Sequence, residues 1–446
     1  MTAISADWVL LPHGWSPAAT IEIMDGGIVA IRPGRAAEHI AGALLPGLVN
    51  LHSHAFQRSF AGRTEFAGGG GDFWSWRTAM YRAAAAIEPD SMVAIAAYVG
   101  MLALQGGFTS LVEFHYLQNR PRGSLYAPRT AMADAIIEGA RQAGIGLTML
   151  YGIYETANFG GVPLLPEQRR FRTSPDEALS MMETSLPRQA DDLRFGLAPH
   201  SLRAVPPDSL AAAAEGLARL DPAAPLHIHA AEQRAEVQAC VARLGTTPID
   251  WLLHNAPLGP TWCLIHATHA SEAELSGLAR SGAVAGLCPS TEANLGDGLF
   301  GLPAYVQANG RLGIGTDSHV GLDAFAELRL LEYGQRLRAE RRNMLAGTDG
   351  HSGRVLWQAA SSGGAQAAGR AVGAISPGCR ADLVAITPSP ETADAGPDFW
   401  LDAAIFSSHT QAARDVMVGG AWVVRGGTHV RGDLIAGEYR KKGLLF

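Results

Sequence analysis

Lysine is nearly absent from this sequence: 33 of the 35 basic residues are arginine, and the two lysines are Lys441 and Lys442. Without an interior lysine there is no P-loop lysine, no Schiff-base or nucleophilic lysine, and no carbamylated lysine to bridge two metal ions. Cysteine is scarce. Cys240, Cys263, Cys288 and Cys379 form no CxxC pair, which excludes a zinc knuckle or thioredoxin motif and fits a reducing compartment. Positive charge is in deficit, with net charge −7 and pI near 6.1, so no broad basic surface for nucleic acid is expected. Long apolar runs are missing too: Met92–Leu104 is too short for a bilayer and ends in Gln105 and two glycines. The opening MTAISADWVLLPHGW lacks the basic and apolar regions of a signal peptide. No GxGxxG follows the first expected strand, which disfavours a dinucleotide-binding dehydrogenase. These absences predict a cytoplasmic protein with neither nucleic acid nor membrane as partner.

What is present is apolar residue. At 446 residues and 47% apolar, the chain has ample material for one large α/β barrel with an accessory piece. Short strands are expected near the start (Ala6–Leu11, Thr20–Met24, Gly27–Arg32) and near the end (Asp382–Thr387, Val416–Val418, Ala421–Arg425). They predict one small β-sandwich built from both termini. Between them eight apolar runs alternate with helical stretches: Leu44–Leu51, Ser110–Phe114, Gly146–Gly152, Arg194–Ala198, Leu226–His229, Trp262–His266, Ala283–Cys288 and Leu312–Thr316. Eight such units indicate an α/β chain folded as a (β/α)8 TIM-type barrel. The expected division is 1–46, 47–374 and 375–446, with the barrel in the middle.

A doubly wound open sheet competes with the barrel, and the polar residues decide between them. His52 and His54 follow the first run; Glu113, His115 and Tyr116 mark the second; His200 follows the fourth; His229 and Glu232 end the fifth; His266 ends the sixth; Asp317 ends the eighth. A barrel brings all these ends to one face, whereas an open sheet keeps its first and last strands apart.

Residue chemistry points to a metal. His52 and His54 are two apart on an extended strand, so both rings face one side. A lone HxH carries little weight among 15 histidines. His227 and His229 share a side as well, and His229 lies nearer the strand end. Glu232 then turns into the same space, where a carboxylate beside a metal moves protons; a helix-terminal glutamate would look the same. Asp317, after an apolar strand, would be costly unpaired. Three histidines and one aspartate suit a single divalent ion, zinc first, with iron or manganese as alternatives.

The order HSH, HAAE, His266 and GTDSH, with PGCRADLV opening the second terminal segment, resembles the amidohydrolase superfamily across essentially the whole chain. The resemblance implies His52, His54, His229 and Asp317 as metal ligands, Glu232 as proton shuttle, and His266 and Asp317 as further catalytic groups. The stretches NLHSHAFQRSFAGRTE, FWSWRTAMYR, EFHY, APHSLR and CPSTEANLGDG resemble, more narrowly, the formimidoylglutamate deiminase family. That implies hydrolysis of a small anionic substrate carrying two carboxylates and a cationic formimino group. Arg77, Tyr116 and Arg203 would meet the carboxylates, Gln57 the formimino end, and His200 would orient substrate or water. Trp74 and Trp76 would wall the pocket, and Gly68–Gly71 suggests a closing loop. A deaminase of purines, pterins or another amidine stays open at this point, as does an inactive barrel serving as a binding protein. A homodimer is the base-rate expectation.

Overall fold

Gly47 divides what the sequence pattern runs together. In the computed structural model, which describes residues 1–65, 73–408 and 412–443, the run Leu44–Leu51 falls in two strands. Glu38–Pro46 belongs to a sheet of the termini, and Leu48–Ser53 is the first barrel strand. A Cβ at Gly47 would lie 2.3 Å from Thr109 Oγ1, so this sharp change of sheet needs glycine. Both strands are buried here, and hydrophobicity carries no mark of the boundary.

The other seven barrel strands are Phe108–His115, Gly146–Ile153, Leu193–Pro199, Leu226–Ala230, Trp262–His266, Val284–Leu287 and Arg311–Ile314. They pair in parallel, each with its neighbour in sequence. Between the first and last strands the contact is shorter. Thr316 N and Asp317 N both donate to the His52 carbonyl, at 3.2 and 3.0 Å, and His54 N donates to the Asp317 carbonyl at 3.1 Å. Eight parallel strands thus come nearly full circle, and the first and eighth share a rim.

Helices cover the outside. Pro89–Gln105, Ala131–Ala143, Pro175–Ser185, Pro207–Leu220, Glu272–Ser281 and Ala324–Ala339 lie where the periodicity predicts them. Two begin with serine caps: Ser174 Oγ accepts from Glu177 N, and Ser271 Oγ accepts from Glu274 N. The sequence pattern predicts a helix over Ala231–Leu244, but the helix starts at Arg234. Ala231 adopts φ 53°, and the intervening turn keeps Glu232 at the rim. A helix not expected, Ser352–Ala368, carries the poor helix formers Ser361, Ser362, Gly363 and Gly364. Tertiary packing overrides propensity there: a Cβ on Gly363 would meet the Leu312 carbonyl oxygen at 1.8 Å, and one on Gly364 would meet Val49 Cβ at 3.0 Å. The helix backbone lies directly on the seam between eighth and first strands.

The termini build a second sheet of nine strands. Its order is Thr428–His429, Ala421–Arg425, Asp415–Val418, Leu383–Ile386, Glu38–Pro46, Thr2–Leu11, Ala19–Met24 and Gly27–Pro33, with Gly14–Pro17 paired to Thr2–Leu11. All pairs are antiparallel except Thr2–Leu11 with Glu38–Pro46. Its own core contains Ile4, Val9, Ile21, Leu44, Leu383 and Met417. Among the described residues no single helix is long and apolar enough to cross a membrane.

Candidate metal centre and substrate cavity

Strand periodicity aims His52 and His54 at one point, with Ser53 between them facing the other way. His54 Nδ1 lies 2.8 Å from the Phe114 carbonyl, and His229 Nδ1 lies 2.8 Å from the His200 carbonyl. A carbonyl only accepts, so each Nδ1 carries the ring proton and each Nε2 is a bare lone pair. These Nε2 atoms face one another at 3.3 Å, and His52 Nε2 lies 3.1 Å from His229 Nε2. Burial holds His52 and His229 well below the usual imidazole range, and His54 below it. The His54 and His229 lone pairs converge with no proton between them and repel, and a cation relieves that repulsion. Asp317 Oδ1 adds an anionic oxygen, 3.5 Å from His52 Nε2 and 3.4 Å from His54 Nε2. Three imidazole nitrogens and one carboxylate fit zinc or a similar divalent ion.

Second partners orient these groups, as in metal sites generally. His266 Nδ1 lies 3.2 Å from Glu292 Oε1, which also accepts from Cys288 N at 2.8 Å. His266 Nε2 faces Glu232 Oε1 and Asp317 Oδ2, each at 3.8 Å. Burial disfavours an imidazolium at His266, but the carboxylates of Glu232, Asp317 and Glu292 outweigh it and raise the pKa to about 10. Burial pushes Glu232 up to about 7 against the opposing pull of His266. The backbone is held in unusual conformations at the same points: φ is 69° at His266 and 47° at Asp317. Left-handed non-glycine residues clustered at strand ends are strain retained where side-chain direction matters.

A cavity of about 300 Å³ opens above this cluster, and His54, Gln57, Tyr116, His200, Arg203, His229, Glu232 and Asp317 line it. His52 and His266 are fully buried. Gln57 Nε2 donates to Tyr116 Oη at 3.1 Å, while its buried Oε1 has no hydrogen-bond partner among the described residues. Arg203 is held by Tyr154 Oη and the Ala157 carbonyl, both at 3.2 Å. His200 lines the wall with its ring, 4.7 Å from that of His229, and fixes His229 with its carbonyl. The expected metal and catalytic residues therefore meet, with four of the five expected substrate contacts beside them. Arg77 falls in helix Phe73–Ala86, but its side chain, like that of Trp74, lies outside the described residues, as does Gly68–Gly71. Trp76 lines the cavity. His227, the alternative to His229, is occupied elsewhere, with Nε2 2.8 Å from the Ala367 carbonyl.

Sequence reasoning missed Glu292, Glu236, Tyr81 and Tyr154. Glu292 is a buried carboxylate in the first turn of helix Pro289–Leu295, which follows the seventh strand. Glu236 lies four residues beyond Glu232, in the first turn of helix Arg234–Leu244, and accepts from Glu232 N at 3.0 Å; a helix read from Ala231 puts both carboxylates on one face. Both tyrosines line the cavity; Tyr81 lies in the stretch FWSWRTAMYR without a role read for it, and Tyr154 carried no local signal.

The chain matches the amidohydrolase family over residues 43–423. It is 46% identical to a formimidoylglutamate deiminase of Pseudomonas aeruginosa, over 99% of this chain and 97% of that one. Its structure resembles the crystal structure of an amidohydrolase from Brucella melitensis, with TM-score 0.94, 40% identity and all of both chains covered. An adenosine deaminase from Xanthomonas campestris with bound zinc shares the fold, at TM-score 0.80 and 21% identity over 99% of this chain and 97% of that one.

Proposed function

This chain belongs to the amidohydrolase family, and from that premise we propose that it hydrolyses N-formimino-L-glutamate to N-formyl-L-glutamate and ammonia. One observation carries the reading beyond family likeness: a single cavity joins Arg203, a fixed cation suited to a carboxylate, to the Glu232–Asp317 cluster. His52, His54, His229 and Asp317 would hold one divalent ion, zinc first. When bound, such an ion supplies water acidic enough to attack near neutral pH.

The chain's own residues divide the remaining work. Arg203 and Tyr116, with Arg77, hold the two substrate carboxylates, and Gln57 faces the formimino end. His200 orients the substrate. Asp317 helps accept the proton of the attacking water. Glu232, poised near neutrality, passes a proton to the departing nitrogen. The His266 imidazolium, fixed by Glu292, steadies negative charge developing near the attacked carbon. The formimino carbon gains the water oxygen, keeps its bond to the glutamate nitrogen and loses its terminal nitrogen as ammonia. The reading extends to a cytoplasmic homodimer serving histidine degradation, with 1–46 and 375–446 as one β unit around a 47–374 barrel.

The test is ammonia release from N-formimino-L-glutamate, with metal content measured on the same sample. Fast release with about one metal per chain supports the proposal. Bound metal with no release overturns the substrate assignment and turns attention to ring amidines, for which Trp76, Tyr116 and Tyr154 offer stacking walls.

A further inference from the structure

On the far side of His52-Ser53-His54 from the cavity lies a buried polar chain that the proposed chemistry does not use. Asn50 Nδ2 meets Thr316 Oγ1 at 2.6 Å, and Asn50 Oδ1 accepts from Thr316 N at 3.0 Å. Thr316 Oγ1 meets His319 Nδ1 at 2.8 Å, and His319 Nε2 meets Ser53 Oγ at 3.0 Å. Ser53 Oγ meets Glu113 Oε2 at 2.5 Å. Ala55 N donates to both Glu113 oxygens, at 2.9 and 3.1 Å. All five side chains are almost wholly buried.

One proton arrangement satisfies every group. The Asn50 amide is fixed by its acceptance from Thr316 N, so its NH2 donates to Thr316. The Thr316 hydroxyl then donates to His319 Nδ1, His319 Nε2–H donates to Ser53, and the Ser53 hydroxyl donates to Glu113. In the reverse direction the Thr316 proton has no acceptor within this chain. The sequence of donors therefore ends on Glu113, whose Oε2 receives the Ser53 hydroxyl and whose two oxygens share the Ala55 N–H.

The chain also crosses the barrel seam. Asn50 and Ser53 lie on the first strand, Thr316 and His319 at the end of the eighth. Its anchor, Glu113, lies on the second strand. It grips Ser53 and Ala55, the residues that alternate with His52 and His54, and its other end grips the loop that carries Asp317. We propose that Glu113 is a positioning residue: by ending this chain it holds His52 and His54 in register with Asp317, so that the ligands converge before any metal arrives. Preorganised ligands bind a metal more tightly because less backbone freedom is lost on binding.

This inference rests on the metal-site reading above, and the experiment separates the two. Zinc affinity is measured by competition with a chromophoric chelator for the parent, Glu113→Gln and Ser53→Ala. Apo-protein melting is followed alongside. The Glu113→Gln change turns an NH2 toward either Ala55 N–H or Ser53 O–H, and Ser53→Ala cuts the chain while sparing the Glu113–Ala55 contact. The expected result is native apo melting in both variants, zinc affinity lower by about tenfold or more, and kcat restored by excess zinc with KM unchanged. Native melting with zinc affinity within twofold of the parent overturns the proposal. So does loss of the fold in both variants, which would make the chain a support of the barrel rather than of the ligands. A parent that binds no zinc overturns the metal-site reading, and this inference with it.

Discussion

The barrel rim and the terminal sheet bury very different things. In the sheet, the interior is aliphatic: Ile4, Val9, Ile21 and Leu383 are wholly excluded from water. Its buried carboxylate Asp382 receives Gly419 N at 2.8 Å and lies 3.3 Å from Arg380 Nε. At the rim, His52, His54, His229, His266, Asp317, Glu292 and Glu113 are all buried within one neighbourhood. Of these, His52 Nδ1 and His266 Nε2 have no hydrogen-bond partner among the described residues, and an unpaired buried polar group costs about 1–3 kcal/mol. The sheet is built for stability. The rim accepts instability in return for groups held at fixed separations, and a bound cation would offset part of the penalty.

This contrast breaks or holds under four perturbations, from the largest effect on turnover to the smallest. Chelation of the metal should abolish ammonia release, and restored zinc at 100 times its dissociation constant should stabilise the fold by about 2.7 kcal/mol; thermal melting of apo and loaded protein checks both. Glu232→Gln should keep its metal and lower kcat by about 100-fold or more, read from turnover and metal analysis of one preparation. Arg203→Met should raise KM by about tenfold or more while kcat changes little, the loss expected of one charge-assisted contact. An equal fall in kcat would instead place Arg203 with the reacting groups. Ile4→Ala should cost about 2–5 kcal/mol of stability and leave turnover per folded molecule unchanged. A changed turnover would show that the sheet is coupled to the rim.

A pH measurement sharpens the comparison further. Burial raises the Glu327 carboxyl from 4.5 to about 8, against its hydrogen bonds with Ser290. The folded protein therefore keeps a proton that the unfolded chain has released. Its contribution to stability is complete below about pH 4.5 and is lost as pH rises through 8. Glu327→Gln cannot ionise and keeps an acceptor for Ser290 N. Urea midpoints for parent and variant at pH 5, 6.5 and 8 should converge at acid pH, with the parent falling behind as the pH rises.

Much of the site was legible because strand geometry is local. Residues two apart share a face, so HSH could be read as a pair of ligands without a structure, and His229 preferred over His227 by its place at the strand end. Asp317 announced itself as a carboxylate closing an apolar strand. Glu292 escapes the same rule because it lies in the helix Pro289–Leu295 that follows the seventh strand. Arg203 was reached through a family resemblance, since an arginine in a loop looks like any solvated charge. The run Leu44–Leu51 reads as one strand, although the expected division falls after residue 46, because two buried strands meet at Gly47. The helix Ser352–Ala368 was missed because its Ser-Ser-Gly-Gly core opposes helix formation in isolation and succeeds only where small residues let its backbone approach the seam.

The sequence by itself determined the alternation of strands and helices, the chemical types at the strand ends, and the exclusion of lysine-dependent chemistry. These depend on composition and on spacings of a few residues. Only the tertiary structure decided that Asn50 meets Thr316, that Glu113 grips the residue between two histidines, and that Glu292 fixes His266. Those contacts join residues between 26 and 266 positions apart; the longest exists because the barrel curls round far enough to bring its last strand beside its first, and the other two because neighbouring strands end at one rim.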